Sequence, residues 1–208
     1  MRKVILSINL TLDGFMAGPN GELDWHFPHW NHEMATYAYD QLSAADTILA
    51  GRVTYQKMAD HWPVAARDPY SNRQDLAFAR LMNSLPKIVF SRTLSKVTWQ
   101  HSRLMKENIR EAIMQLKQQP GKDMIMYGGV TIAAAFIQME LIDEYRIWVN
   151  PVAIGSGTPL FENVEQHLAL QLIDTTPFSN GVVLLRYRPV LPDISAPRFN
   201  WDQSNLFQ

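Results

Sequence analysis

The feature that most constrains this chain is a change of pattern near residue 140. Before it, short apolar runs alternate with helix-like stretches; after it, strand-like runs follow one another with no helix between them. Residues 3–10, 46–50, 87–90 and 123–127 are apolar over stretches short enough for strands; Asp13-Gly14, Gly51 and Gly128 follow the first, second and fourth, and Pro86 precedes the third. Residues 31–43, 74–85, 106–118 and 128–139 have helical spacing. The cleanest is 106–118, with Ile109, Ala112, Ile113 and Leu116 on one stripe. A short helix is expected to start near Val53, followed by a loop over 60–73. Residues 145–149, 168–174 and 182–188 then read as consecutive strands. The economical architecture is α/β: a mostly parallel central sheet, an antiparallel C-terminal edge and helices on both faces.

A chain of 208 residues with 47% hydrophobic content supports one sizeable core. One domain is expected over residues 1–189. Residues 190–208 form a tail in which Phe199, Trp201 and Phe207 follow further prolines. The formal net charge is -1 and no basic run occurs, so nucleic acid is not an expected partner. The absence of cysteine excludes disulfides, thiolate catalysis and cysteine-ligated metal centres. No apolar stretch is long enough to span a bilayer, and Asp13 and Gly14 end the first apolar run before it resembles a secretory signal. No membrane association and a cytoplasmic location are the expectation.

Three strand exits carry groups suited to an anionic ligand. In Gly51-Arg52-Val53-Thr54-Tyr55 a glycine precedes a helix start, where free N–H groups and the positive dipole end favour phosphate; Arg52 adds charge and Thr54 a hydroxyl. Ser91-Arg92-Thr93 places two hydroxyls around an arginine, a combination that can bind a phosphomonoester. Gly128-Gly129-Val130-Thr131 puts adjacent glycines before another helix start, where backbone can approach a ligand closely. Each also has a plain reading, as a capped turn, a polar strand exit or tight strand–helix packing. No G-x-G-x-x-G fingerprint is present.

Together with the Leu12-Asp13-Gly14 loop, these motifs in this order resemble the dihydrofolate reductase superfamily. The closer resemblance is to the reductase domain of the bacterial riboflavin-biosynthesis deaminase/reductase and its stand-alone relatives, through Asn150-Pro151-Val152-Ala153-Ile154-Gly155-Ser156-Gly157-Thr158-Pro159-Leu160-Phe161. The resemblance covers roughly residues 2–189 and implies an NADPH-dependent reductase, commonly a homodimer. Gly51, Arg52 and Thr54 would meet the cofactor phosphates, and Ser91, Arg92 and Thr93 the adenosine 2′-phosphate. Gly128 and Gly129, a pair often joined by a cis peptide in the family, would underlie the pyrophosphate and nicotinamide, with Val130 and Thr131 at the helix start. The segment from Asp13 to Asn20 would cover the nicotinamide.

The chain departs from the family at the acid. The carboxylate that holds the pterin in dihydrofolate reductases falls near Trp30 here, and the nearest acids are Asp24 and Glu33. These two are the candidate catalytic groups, and dihydrofolate is not the expected substrate. Trp25, Phe27 and Trp30 offer flat walls for a pteridine-like or ribosylamino-pyrimidine-like ring, or serve packing. His26, His29 and His32 recur at steps of three, but Pro28 interrupts any helix that would align them and no metal site is expected. The competing expectation is a non-catalytic, dimeric nucleotide- or flavin-binding module on the same fold.

Overall fold

The computed structural model describes residues 1–162 and 167–190. Its strands are β1 (Val4–Thr11), β2 (Phe15–Ala17), β3 (Ala45–Gly51), β4 (Lys87–Phe90), β5 (Ser102–Met105), β6 (Asp123–Tyr127), β7 (Glu144–Asn150), β8 (Thr158–Pro159), β9 (Leu170–Pro177) and β10 (Val183–Pro189). The helices are α1 (His32–Ser43), α2 (Arg52–Ala65), α3 (Arg73–Ser84), α4 (Ile109–Gln118) and α5 (Val130–Gln138), and a 3-10 turn covers Asp24–His29. Eight strands form one sheet in the order β5-β4-β3-β6-β1-β7-β10-β9. β5 through β7 are mutually parallel, whereas β10 is antiparallel to both β7 and β9. The expected architecture is present.

Strand alternation assigns the helices to faces. Leu6, Ile8, Leu49, Ile88, Met124 and Met126 point to one side, where Ile113 of α4 and Ile132, Ala133 and Phe136 of α5 cover them. Ile48, Ala50, Val89 and Ile125 point to the other, against Leu42 of α1, Tyr55 of α2 and Met82 of α3. Both faces of the central strands are therefore buried, which is why those segments read as unbroken apolar runs. A third cluster packs Met34 of α1 against Trp148, Phe178, Val182 and Leu184 of the antiparallel part.

The short paired strands β2 and β8 were not expected, and two longer segments also differ from the sequence expectation. α2 continues to Ala65, so the loop expected from residue 60 begins later. Pro63 lies near its end, where little helix remains to disrupt, and Met58 and Trp62 gain burial against the core. β5 was not expected, because Ser102 and Arg103 break the apolar signature; it survives as the parallel edge strand beside β4. The tail aromatics Phe199, Trp201 and Phe207 lie outside the described residues. Among the described residues, no helix is long and apolar enough to cross a membrane.

Parallel strands give the sheet an amino edge and a carboxyl edge. The amino edge is clamped by charge. The Arg2 guanidinium binds the Asp46 carboxylate, Lys122 O at 2.6 Å and Thr47 Oγ1 at 2.9 Å. Lys117 meets Asp143 at 2.6 Å. Lys87, 1% exposed, donates to Asn83 O, Leu85 O and Gln100 O at 2.9, 2.8 and 3.2 Å, and lies 4.1 Å from the Trp99 ring centre. Its ammonium thus satisfies carbonyls at the end of α3, where a cation also suits the helix dipole. At the start of β7, Glu144 holds Arg146 at 2.7 Å and Arg186 at 3.0 Å.

Candidate active site

At the carboxyl edge, β3 and β6 are neighbours, but the helices that follow them leave for opposite faces: α2 on one side and α5 on the other. In open α/β sheets such a divergence opens the crevice in which ligands bind. Gly51 and Gly129 are the N-caps of α2 and α5, and neither helix start receives a side-chain cap. The first-turn N–H groups are therefore left for other acceptors. The Thr54 hydroxyl donates to Gly128 O at 3.2 Å and joins two junctions far apart in sequence.

These glycines are required by closeness, since φ is -81° at Gly51 and -116° at Gly129. A Cβ on Gly51 would lie 2.9 Å from Ile132 Cγ2, and one on Gly129 would lie 3.2 Å from Thr54 Oγ1. At Gly128 the added carbon would sit 3.1 Å from Leu6 Cδ1, so the core also presses on this glycine. No cis peptide occurs among the described residues, so the bond between Gly128 and Gly129 is trans, unlike the arrangement often found in the resembling family. Val130 packs against the core, and Thr131 is exposed in the first turn of α5.

The β4 exit lies alongside, because Phe90 pairs with Gly51. Ser91 Oγ accepts N–H groups from Thr93 and Leu94 at 3.2 and 3.0 Å, which folds the turn around its hydroxyl. Arg92 and Arg52 are exposed, and neither has an ion-pair partner among the described residues; Arg52 reaches only Gln56 Oε1, at 3.2 Å. The ion pairs among the described residues lie at the amino edge or in the antiparallel part, so the cations at this rim are not neutralised by them.

A cluster of aromatic side chains is built from the 3-10 turn, α1 and β7. Trp30, 42% exposed, lies 6.2 Å from Trp148, which stacks on Phe178 at 5.4 Å and meets Tyr37 edge-on at 5.4 Å. Phe27 is exposed and Trp25 half-buried; Trp25 Nε1 and His26 Nδ1 are buried without a hydrogen-bond partner. Burial lowers the pKa of His26. Trp148 was not among the sequence candidates. Its signal was strand alternation, which puts Arg146, Trp148 and Asn150 on one side of β7.

The two candidate acids have different surroundings. Asp24 opens the 3-10 turn, exposed, and its carboxylate has no hydrogen bond or ion pair among the described residues. Glu33 accepts the Ser179 N–H at 3.0 Å, and this bond first, then one from the Ser179 side chain, lowers its pKa. Asn31 Nδ2 reaches Ser179 Oγ at 3.2 Å and Asn180 donates to His29 O. Glu33 thus fastens the start of α1 to the β9–β10 turn.

The loop after β1 forms the rim. Asp13 accepts the Thr11 hydroxyl at 2.5 Å, Ile154 N at 3.1 Å and Gly155 N at 2.8 Å; these bonds, led by Thr11, lower its pKa. β2 and β8 pair beyond this tie. Farther on, Lys57 of α2 donates to Gly21 O at 3.1 Å. The loop is therefore tied to the segment after β7 at one point and to α2 at another, on either side of β6 and β1 in the sheet order. No group of three or more potential metal-ligating side chains occurs among the described residues.

Residues 2–184 match the RibD C-terminal domain family. The chain is 38% identical over 186 residues to the uncharacterized protein YyaP of Bacillus subtilis (strain 168), covering 89% of this chain and 94% of that protein. A putative riboflavin biosynthesis protein from Shewanella sp. PV-4 is similar in structure, with a TM-score of 0.71 and 25% identity over 91% of this chain and 99% of that one. The diaminohydroxyphosphoribosylaminopyrimidine deaminase/5-amino-6-(5-phosphoribosylamino)uracil reductase of Thermotoga maritima gives a TM-score of 0.63 at 16% identity, covering 91% of this chain and 57% of that one. Dihydrofolate reductase from Enterococcus faecalis, solved with NADP(H), gives 0.57 at 15% identity over 90% and 96% of the two chains. The crevice between α2 and α5 is thus set in a dihydrofolate-reductase-like fold, and the chain belongs to the RibD C-terminal domain family.

Proposed function

We propose that the protein is an NADPH-dependent reductase that passes a hydride to a small heterocycle of the ribosylamino-pyrimidine or pteridine type. The carrying observation is the convergence of two glycine-capped helix starts, joined by Thr54 and Gly128, beside Arg52 and Arg92, which have no ion-pair partner among the described residues. Free N–H groups, dipole ends and unneutralised guanidinium groups suit a pyrophosphate and a 2′-phosphate. Membership of the RibD C-terminal domain family and a dihydrofolate-reductase-like fold support reductase chemistry of this type. When bound, NADPH supplies the hydride; the chain supplies position and electrostatics.

In this reading Gly51, Arg52, Thr54 and the first turn of α5, with Val130 and Thr131, hold the pyrophosphate, while Ser91, Arg92 and Thr93 select the 2′-phosphate. The heterocycle lies over β1 and β7 against Trp30, with Trp25 and Phe27 at the rim. Asp24 is the carboxylate free to orient substrate or relay a proton through water. The engagement of Glu33 with Ser179 favours the non-catalytic alternative, in that one of the two acids is already occupied.

The test is a fluorescence titration with NADPH and NADH. NADPH is expected to bind at least tenfold more tightly, about 1.4 kcal/mol, and Arg92→Ala is expected to remove most of that preference. Equal affinity for the two cofactors would overturn the assignment. Asp24→Asn and Glu33→Gln kinetics then separate the acids: a fall in kcat for Asp24→Asn alone is the expected result.

A further inference from the structure

A second cleft lies away from the crevice, at the amino edge of β4 and β5. Its volume is about 650 Å³, within the range of about 300–1,000 Å³ usual for small-molecule sites. The end of α2, the end of α3 and the segment leading into β5 enclose it. α2 has 14 residues and is therefore about 20 Å long. It runs from Gly51 at the crevice to this cleft at the opposite edge.

Asn83 and Trp99 are the buried residues of the lining. Trp99 Nε1 donates to Asn83 Oδ1 at 2.7 Å, and Asn83 Nδ2 donates to Ala79 O at 2.8 Å and Trp62 O at 2.9 Å. These groups are spent on one another, so a ligand would be read by the walls. Arg67, Arg80 and His101 line the walls, and their side chains have no hydrogen bond or ion pair among the described residues. Asp60 is the one carboxylate of the lining. His101 enters β5 with φ at +59°, a conformation uncommon outside glycine and often kept where a residue has a task.

A further positive charge stands behind the wall. Lys87 has no ion-pair partner among the described residues, and its Nζ lies 2.9 Å from Asn83 O and 3.2 Å from Gln100 O. By taking carbonyls at the end of α3, it also blunts the negative pole that this helix end would otherwise turn toward an anion. Cations therefore outnumber carboxylates around the cleft.

We propose that this cleft is a second binding site, separate from the cofactor crevice, for a phosphomonoester that carries a hydroxylated body. Guanidinium groups match phosphate oxygens in geometry as well as charge. Asp60 accepts hydrogen bonds and Gln100 both donates and accepts, which suits hydroxyl groups at the other end of the ligand. The site does not depend on the reductase reading, since none of its residues belongs to the crevice.

The experiment is a calorimetric titration of the full chain with glucose 6-phosphate, and with glucose and inorganic phosphate as its two halves. The hexose phosphate is expected to bind at one site, roughly tenfold more tightly than either half. Arg67→Gln and Arg80→Gln should each weaken it by roughly tenfold. Both arginines are exposed, so the melting temperature should not change. Absence of binding at millimolar ligand, or either half binding as tightly as the whole, would overturn the proposal. So would an affinity that survives both substitutions, or one that is lost in Arg52→Gln or Arg92→Gln instead, which would put the phosphate in the crevice.

Discussion

Lys87 is the residue with the sharpest internal conflict. Burial pulls its pKa from the usual 10.5 down to about 8, while three carbonyls and the Trp99 ring hold its ammonium in place. Between those two values the unfolded chain binds the proton more tightly than the native one. Its contribution to stability therefore rises as pH climbs from about 8 toward 10.5, by on the order of 1 kcal/mol per pH unit. Urea midpoints of wild type and Lys87→Met at pH 7 to 10 should show a gap that grows with pH; a shrinking gap would contradict this account. At neutral pH, Lys87→Met is expected to cost about 2 kcal/mol through carbonyls left unpaired. Thr54→Val belongs to the same scale. It removes the hydroxyl that joins the two helix starts and should weaken NADPH by roughly fivefold, about 1 kcal/mol, with little change in melting temperature. A titration that finds the affinity unchanged would make Thr54 a packing residue only. The glycines and Thr54 could be read from sequence because a strand–glycine–helix junction is a local signal. The role of Glu33 could not, since its partner Ser179 is far along the chain.

Among the elements, the loop after β1 depends on few contacts. Asp13 was read as the end of a strand, and the structure makes it the tie to Ile154 and Gly155. That tie joins segments about 140 residues apart, which no local pattern reveals. Gly157 follows it with φ at +158°, and a Cβ there would run into the Ala17 carbonyl oxygen. Gly157→Ala should therefore separate β2 from β8 without unfolding the sheet. The expected signs are faster hydrogen exchange confined to residues 12–18 and 152–160, and weaker NADPH binding if the loop covers the nicotinamide. Exchange as slow as in the wild-type chain would show that the rim tolerates the extra carbon. The periodic helices were legible because their apolar stripes repeat over several turns. α2 was read short because a proline is a stronger stop signal in sequence than in a helix end that packs against Tyr55's cluster, and β5 because an edge strand needs few apolar residues.

For the whole molecule, the change of pattern near residue 140 proved decisive: the antiparallel part lies where consecutive strands without helices required it. It leaves β9 as an edge with Leu172 and Ile173 50% and 44% exposed. A strand whose outer edge is unpaired and carries apolar side chains is open to pairing, and we expect a second copy of the chain to cover it. Light scattering at micromolar concentration should give two chain masses, and Leu172→Lys should shift the sample toward one. A wild-type monomer would refute the dimer. The separation of the two sheet edges has a consequence for how such a protein can change. The charged clamps of Arg2, Lys117 and Lys87 lie at the edge away from the crevice. Replacing side chains or lengthening loops around the crevice leaves those clamps untouched. A lineage, or a laboratory library, can therefore explore new ring chemistries at one rim while the opposite rim keeps the sheet assembled.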